Sequence, residues 1–197
     1  MVGRFRVVMD NGEALRLYRQ TIEDFGIFSG RDLTEDEMEK LLKAAGEMSA
    51  KMRAVRIVSA SNVSKRDLEQ RLIHKGEDPE QAKEAVQWMS DLNLVDDEKT
   101  AEQIVQQCVR KGYGVSRARQ ALYEKRIPKA YWDTALQNYP DQEEHILSFL
   151  QARLGKDPDE RGIKRTIDAL LRRGHSYSQI RRVLESLEME LDEFQEE

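Results

Sequence analysis

Two clusters of basic side chains are the groups in this sequence whose type and spacing suggest a chemical role. The first lies between Arg110 and Lys129, where Glu124 is the one acidic neighbour, and the second lies between Arg161 and Arg182. Such side chains bind anionic groups through charge-assisted hydrogen bonds. We predict a basic stripe on consecutive structural units, while an ordinary solvated helix face stays open as the alternative for any single member. The residues selected as partner-binding are Arg110, Lys111, Arg117, Arg119, Lys125, Arg172, Arg173 and Arg181.

The side chains that catalysis or metal binding would need are scattered. His74, His145 and His175 are far apart in the chain, and none stands in a zinc-binding HExxH frame. Cys108 is the only cysteine, so it supplies neither a zinc-ligand pair nor an internal disulfide. The glycines form no phosphate-binding loop of the Walker or GxGxxG kind. We therefore predict a protein without catalytic activity, metal or cofactor.

Composition favours small cores in an elongated body. The chain is 39% apolar and 35% charged, which is richer in charge than an average globular protein. A net charge of -5 argues against a surface that binds nucleic acid throughout. The absence of a signal-peptide pattern and of a run of about 20 apolar residues predicts a cytoplasmic protein that is not in a membrane. We expect a monomer.

The N-terminal segment predicts a β-hairpin followed by a helix. Residues 4–9 and 13–19 suggest two strands, and the Asn11-Gly12 pair between them is typical of a tight turn. Thr34 and Glu37 form a capping-box pattern that predicts the start of a helix.

From about residue 50 onward the helical pattern repeats. Segments that begin at Ser64, Gly114 and Ser176 each place apolar residues one turn apart, at offsets of about 50 and about 62 residues. The same offsets equate Cys108 with Val58 and Leu170, so we predict that Cys108 is buried. Four aromatic residues are predicted to pack in cores or interfaces rather than to stack on bases. They are Trp88, Tyr113, Tyr123 and Trp132.

Glycine and proline signals divide the helical part into units. Gly76 predicts a left-handed helix end and Asp78-Pro79 the next helix start, and Asp157-Pro158 has a similar pattern. We predict about nine helices in three tandem three-helix repeats, forming an elongated curved, all-α array behind the short hairpin. The predicted boundaries are 1–47 for the hairpin and helix extension, 48–97, 98–140 and 141–187 for the repeats, and 188–197 for an acidic tail.

Three strings of residues, taken in order, resemble the RecX family of regulatory proteins. The first is Ser64-Lys65-Arg66-Asp67-Leu68 through Lys75-Gly76, followed by Leu94-Val95-Asp96-Asp97. The second is Lys111-Gly112 with Gly114, Arg117, Leu122 and Lys125, and the third is Leu170-Leu171-Arg172-Arg173-Gly174-His175-Ser176. The chain departs from the family pattern at Thr100, where a tyrosine is frequent, and at Arg126, where a glycine is usual.

The resemblance implies a regulator without catalytic activity that binds the helical groove of the RecA recombinase filament. It implies inhibition of the filament's ATPase, strand-exchange and coprotease activities, in DNA repair, homologous recombination and the SOS response. Through it, the eight selected basic residues become candidate contacts to RecA, with single-stranded DNA inside the filament as a further contact. The alternative function is a helical repeat module that binds single-stranded DNA by the same basic residues without RecA.

Overall fold

The chain is predominantly helical and carries one N-terminal hairpin. The computed structural model describes residues 3–154 and 159–193, with side chains up to Leu187, and divides into two compact units, 1–96 and 97–197. Ten α-helices, one short 3-10 helix and one two-stranded antiparallel sheet occur in the described residues. The predicted fold of helices behind a short hairpin is confirmed.

The first unit begins with the predicted hairpin. Strand β1 (Arg4–Val8) pairs with strand β2 (Ala14–Tyr18), and Gly12 adopts the positive φ of 85° that the turn requires. The return strand was predicted to reach Arg19, but it ends at Tyr18 because Arg19 opens helix α1 (Arg19–Asp24). This helix was not predicted.

Helix α2 (Glu35–Ala60) is longer than the sequence analysis implied. The Thr34 hydroxyl accepts from the Glu37 amide and the Glu37 carboxylate accepts from the Thr34 amide, so the predicted capping box is confirmed. These bonds lower the pKa of the Glu37 carboxyl group. The predicted boundary between residues 47 and 48 falls inside α2, because no proline or helix-ending turn interrupts the chain there.

Small residues let α2 pack closely against the last helix of the first unit. Helix α3 (Lys65–His74) is capped by Ser64, and helix α4 (Pro79–Asp91) starts with Asp78 as its cap and Pro79 in its first turn, as predicted. Ala50 and Ala54 of α2 and Ala82 and Ala85 of α4 are at most 1% exposed. Alanines at such positions let two helix backbones approach closely, so the first core, within residues 50–95, is thin but tightly packed.

The second unit begins with a core within residues 101–136. It is built by helix α5 (Asp97–Arg110), helix α6 (Val115–Glu124), a 3-10 helix (Lys129–Tyr131) and helix α7 (Trp132–Leu136). Cys108 is 6% exposed, so its predicted burial is confirmed, and this burial raises the pKa of the thiol. The packing prediction for Tyr123 is wrong: this residue is 72% exposed, because it follows the buried Leu122 by one helical step.

A third core lies within residues 146–187. Helix α8 (Glu143–Arg153) packs with helix α9 (Glu160–Arg172) and helix α10 (Tyr177–Glu193). The predicted start at Asp157-Pro158 lies outside the described residues, and Asp159 is the cap of α9. The predicted tail overlaps α10, whose backbone is helical to Glu193.

Candidate partner-binding site

Two glycine turns that the repeat pattern equates lie against each other in the second unit. We call them the glycine junction: Lys111–Gly114 between α5 and α6, and Arg173–Ser176 between α9 and α10. The Gly114 amide donates to the Arg173 carbonyl at 2.9 Å, and the Arg173 guanidinium donates to the Lys111 carbonyl at 2.8 Å. The junction therefore ties the second core to the third through one bond between main-chain groups and one bond from a side chain to the main chain.

Glycine is required at this junction for reasons of space. A Cβ atom on Gly114 would overlap the Gly174 carbonyl, and a Cβ atom on Gly174 would overlap the Arg117 amide. Gly174 also has a φ of 89°, in the left-handed region that side chains disfavour. Gly114 thus precedes α6 where Ser64 and Ser176 precede the equivalent helices, because the neighbouring turn occupies the place of a side chain at Gly114.

His175, in the turn between α9 and α10, adds a further contact to the junction. Its side chain is 4% exposed, and its Nε2 atom lies 3.1 Å from the Gly112 carbonyl, so Nε2 carries the proton and donates it. The Nδ1 atom is buried and has no hydrogen-bond partner within the described part of the chain. Burial lowers the pKa of His175 by disfavouring the charged form.

The Arg173 side chain is held in place from several directions. Its guanidinium carbon lies 5.1 Å from the ring centres of both Tyr113 and Phe149, within the range of cation–π attraction. Together with the hydrogen bond to Lys111, these contacts fix a positive charge that remains only partly buried. A cation ordered in this way loses little conformational entropy when it binds an anion.

Four arginines surround one shallow depression beside this clamp. We call it the basic depression, and its lining is Tyr113, Arg117, Phe149, Arg153, Ala169, Arg172 and Arg173. The side chains come from α6, α8, α9 and the glycine junction. Arg153 stacks on Phe149 at 5.0 Å, so one aromatic ring supports two guanidinium groups.

One carboxylate partly offsets the charge of the basic depression. Glu124 accepts a hydrogen bond from Arg117 at 3.0 Å, and this bond raises the pKa of the guanidinium. Arg172 is exposed, and no ion pair of this side chain is found among the described residues. The depression is therefore suited to bind a carboxylate or phosphate group.

The structure gathers some of the eight predicted residues and separates others. Arg117, Arg172 and Arg173 line the basic depression, and Lys111 contributes its carbonyl group to the Arg173 clamp. Arg119 lies two residues beyond Arg117 on α6, which places it on nearly the opposite side of that helix.

The remaining predicted residues lie elsewhere on the second unit. Arg110 lines a different depression between α5 and α7. Lys125 is the exposed C-cap of α6, and Arg181 is exposed and paired with Glu185 at 2.6 Å. These eight positions therefore do not form a single stripe.

Sequence reasoning missed Arg153 and Phe149. Neither belongs to the two basic clusters, because both are on α8, which precedes the third repeat's glycine turn. Their spacing of one helical turn was the available signal, since an arginine four residues after a phenylalanine places its guanidinium over the ring. Tyr113 was predicted as packing, and it packs against the second core and under Arg173.

The described residues contain neither a metal-binding cluster nor a membrane-spanning helix. No group of three or more histidine, cysteine, aspartate or glutamate side chains is arranged to hold a metal ion. No helix combines the length and the apolar character that crossing a membrane requires.

Comparisons with known proteins point to one family. Residues 96–136 match the family model for the second three-helix domain of RecX. The chain is 30% identical over 144 residues to the regulatory protein RecX of Vibrio campbellii, covering 69% of this chain and 90% of that protein. It is 23% identical over 197 residues to the regulatory protein RecX of Clostridioides difficile, covering 97% of this chain and 92% of that protein.

Solved structures show the same fold. A crystal structure of a regulatory protein RecX matches 93% of this chain and 93% of its own, with a TM-score of 0.65 and 20% identity. The crystal structure of RecX from Lactobacillus salivarius matches 74% of this chain and 99% of its own, with a TM-score of 0.64 and 20% identity. Sequence relatives and fold agree with the resemblance seen in the residue strings, and the chain belongs to the RecX family of regulatory proteins.

Proposed function

We propose that this protein is a non-enzymatic regulator that binds the RecA recombinase filament in the cytoplasm and inhibits its ATPase, strand-exchange and coprotease activities. Membership of the RecX family supports a regulatory role. RecA as the partner follows from what the family resemblance implies. In this proposal, the basic depression of the second unit contacts an acidic surface in the filament groove.

The clamped guanidinium of Arg173 is the observation that carries the choice of surface. Its contacts to Tyr113, Phe149 and the Lys111 carbonyl are all internal, so the charge is in position before any partner arrives. Positioned charges raise the association rate and set the register of a complex more than they raise its affinity. Exposed Arg172 and Arg153 extend this charge across the depression.

A charge-reversal experiment tests the proposal. The variant Arg153→Glu/Arg172→Glu changes two exposed arginines of the depression and leaves the Arg173 clamp in place. The matched control is Arg119→Glu/Arg181→Glu, which makes the same change in charge at predicted residues outside the depression. ATP hydrolysis by RecA on single-stranded DNA is measured against increasing concentrations of each variant, and circular dichroism checks folding.

We expect the depression variant to need about tenfold more protein for half-inhibition, which corresponds to about 1.4 kcal/mol of coupling. The control is expected to inhibit like the unchanged chain. Full inhibition by the folded depression variant would place the RecA contact on another surface and leave the family assignment as it is. Equal losses in both variants would indicate that total charge matters more than the depression.

A further inference from the structure

The hairpin of the first unit has an open edge along β1. Among the described residues, β1 pairs with β2 alone. The Met9 amide donates to the Glu13 carbonyl at 2.8 Å, and hydrogen-bonded pairs alternate along an antiparallel ladder. The main-chain groups of Arg4, Arg6 and Val8 therefore point away from β2, toward the open edge.

Two arginines face each other across the hairpin next to this edge. Arg6 lies opposite Arg16 at a pair of the ladder without hydrogen bonds, where side chains are closest. Like charges in this arrangement destabilise a sheet. Both side chains are exposed, and neither forms an ion pair with any described carboxylate. An external anion would relieve their repulsion.

The other arginines of the hairpin are already engaged. Arg4 donates to Ser49 at 3.0 Å and lies over the Tyr18 ring, which joins this end of β1 to α2. Arg19 lies 3.8 Å from Glu23 and over the Phe5 ring. The hairpin arginines without a described side-chain partner are thus Arg6 and Arg16, in its middle.

A cavity of about 500 Å³, lined by both polar and apolar groups, opens beside β1. Arg6 through Asp10 form one wall, and the segment from Ile27 to Leu33 forms another. Ile22 and Leu41 contribute further lining. Val7 projects from the strand on the face opposite to Arg6, because successive side chains of a strand alternate.

We propose that the open edge of β1 binds an extended segment of a partner protein as a third strand, with acidic residues alternating with apolar ones. The edge amides and carbonyls of Arg6 and Val8 would bond its main chain. Its acidic side chains would lie beside Arg6, with Arg16 one strand further along the same row. Its apolar side chains would enter the cavity. This inference does not depend on the RecA proposal, because it concerns a different unit and a different chemistry.

Charge opposes a second copy of this chain as the occupant in the register centred on Arg6. Antiparallel pairing of two β1 edges centred on Arg6 would place the two Arg6 side chains next to each other, with an Arg16 on either side. Four like charges in one row of a sheet would oppose such a dimer. An acidic strand would instead place a carboxylate beside Arg6, which attracts the guanidinium group.

The test uses the full chain and a labelled seven-residue peptide of alternating glutamate and valine. Fluorescence anisotropy measures its binding, and hydrogen exchange measures protection of the Arg6 and Val8 amides. One control peptide is N-methylated on the peptide bonds that would face β1, and a second carries lysine in place of glutamate. The variant is Arg6→Glu/Arg16→Glu, and its matched control is Arg56→Glu/Arg66→Glu, at exposed arginines of α2 and α3.

We expect the glutamate peptide to bind, with at least about tenfold weaker binding after N-methylation and protection of the two edge amides. The hairpin variant is expected to lose the glutamate peptide and to bind the lysine peptide, a reversal that a misfolded hairpin would not produce. The matched control is expected to bind like the unchanged chain. The proposal is overturned if the glutamate peptide does not bind, if N-methylation has no effect, or if the hairpin variant binds neither peptide.

Discussion

Arg126 ends α6 in a backbone conformation that normally belongs to glycine. Its φ is 56°, and its amide bonds to the Tyr123 carbonyl, as expected just past a helix C-terminus. A side chain in this region costs about 1–2 kcal/mol relative to the right-handed region. The family resemblance implies a glycine at this position.

Arg126→Gly is therefore expected to raise the free energy of unfolding by about 1 kcal/mol, because glycine removes this strain. Urea denaturation followed by circular dichroism measures the change. Arg126→Ala is the control, since it removes the side chain but keeps the strained conformation. If alanine stabilises the protein as much as glycine does, the arginine side chain and not the backbone is the source of the cost.

His175 is expected to make stability depend on pH. Burial holds its pKa below the ordinary value, so the unfolded chain takes up the proton first as the pH falls. The stabilising contribution is thus fully present above about pH 6.5 and is lost as the pH falls from there toward the folded pKa. Urea unfolding between neutral pH and about pH 5 measures this loss.

A glutamine at position 175 provides the reference for this pH effect, because its amide can donate to the Gly112 carbonyl and does not titrate. His175→Gln is expected to remove the dependence below about pH 6.5. His74→Gln is the matched control, because His74 is exposed and far from the junction in sequence. Persistence of the full pH dependence in His175→Gln would assign it to another group.

At the scale of elements, alanine substitutions at three glycines distinguish the cost of backbone strain from the cost of steric overlap. Gly76 has a φ of 88° and open space where its Cβ would lie. Gly114 has an ordinary φ of -76° but no room for a Cβ, and Gly174 has both a φ of 89° and an overlap. Alanine at each position measures these costs one at a time.

We expect Gly76→Ala to lower stability by about 1 kcal/mol through strain and Gly114→Ala by about 1–3 kcal/mol through overlap. Gly174→Ala is expected to cost more than either. During the urea titration, fluorescence of Trp132 in a Trp88→Phe background reports the unfolding of the second unit for the Gly114 and Gly174 variants. Fluorescence of Trp88 in a Trp132→Phe background reports the unfolding of the first unit for the Gly76 variant. Equal losses at Gly76 and Gly174 would mean that the junction yields to an added methyl group at little cost.

Capping residues and a helix-ending glycine correctly predicted several helix boundaries. Thr34, Ser64 and Asp78 cap the helices that their patterns indicated, and Gly76 ends α3 as expected. The repeat alignment also placed Cys108 correctly in a core. Each of these predictions needs only the residues within a few turns.

Contacts between distant turns had no such signal. The junction of Gly114 with Gly174 and the stacking of Arg173 on Phe149 depend on how two repeats pack, which linear spacing does not encode. Basic residues were therefore identified by cluster, and Arg119 was grouped with Arg117 although helix geometry separates them. Three of the eight predicted residues line the basic depression for this reason, while Arg153 was missed.

At the scale of the whole molecule, a net charge of -5 opposes binding to bare nucleic acid. If the four arginines of the basic depression were to contact phosphates, the affinity for single-stranded DNA would fall about 50-fold between roughly 50 and 200 mM salt. We expect anisotropy with a labelled oligonucleotide to show binding that is lost near physiological salt, while RecA inhibition remains. Tight salt-resistant binding without RecA would favour the alternative function as a DNA-binding module.

The glycine junction also has a consequence for how the chain is made. Arg173 follows Lys111 by 62 residues, so the ribosome completes the first turn well before the second exists. At about 5–20 residues per second, the delay is about 3–12 s. During this interval the Gly114 amide and the Gly112 carbonyl lack the partners that they have in the finished protein. Because synthesis proceeds from the N-terminus, the close packing at the glycine junction forms late. A nascent chain arrested before Arg173 would expose the surface around Gly112 and Gly114, which the missing segment covers in the finished protein.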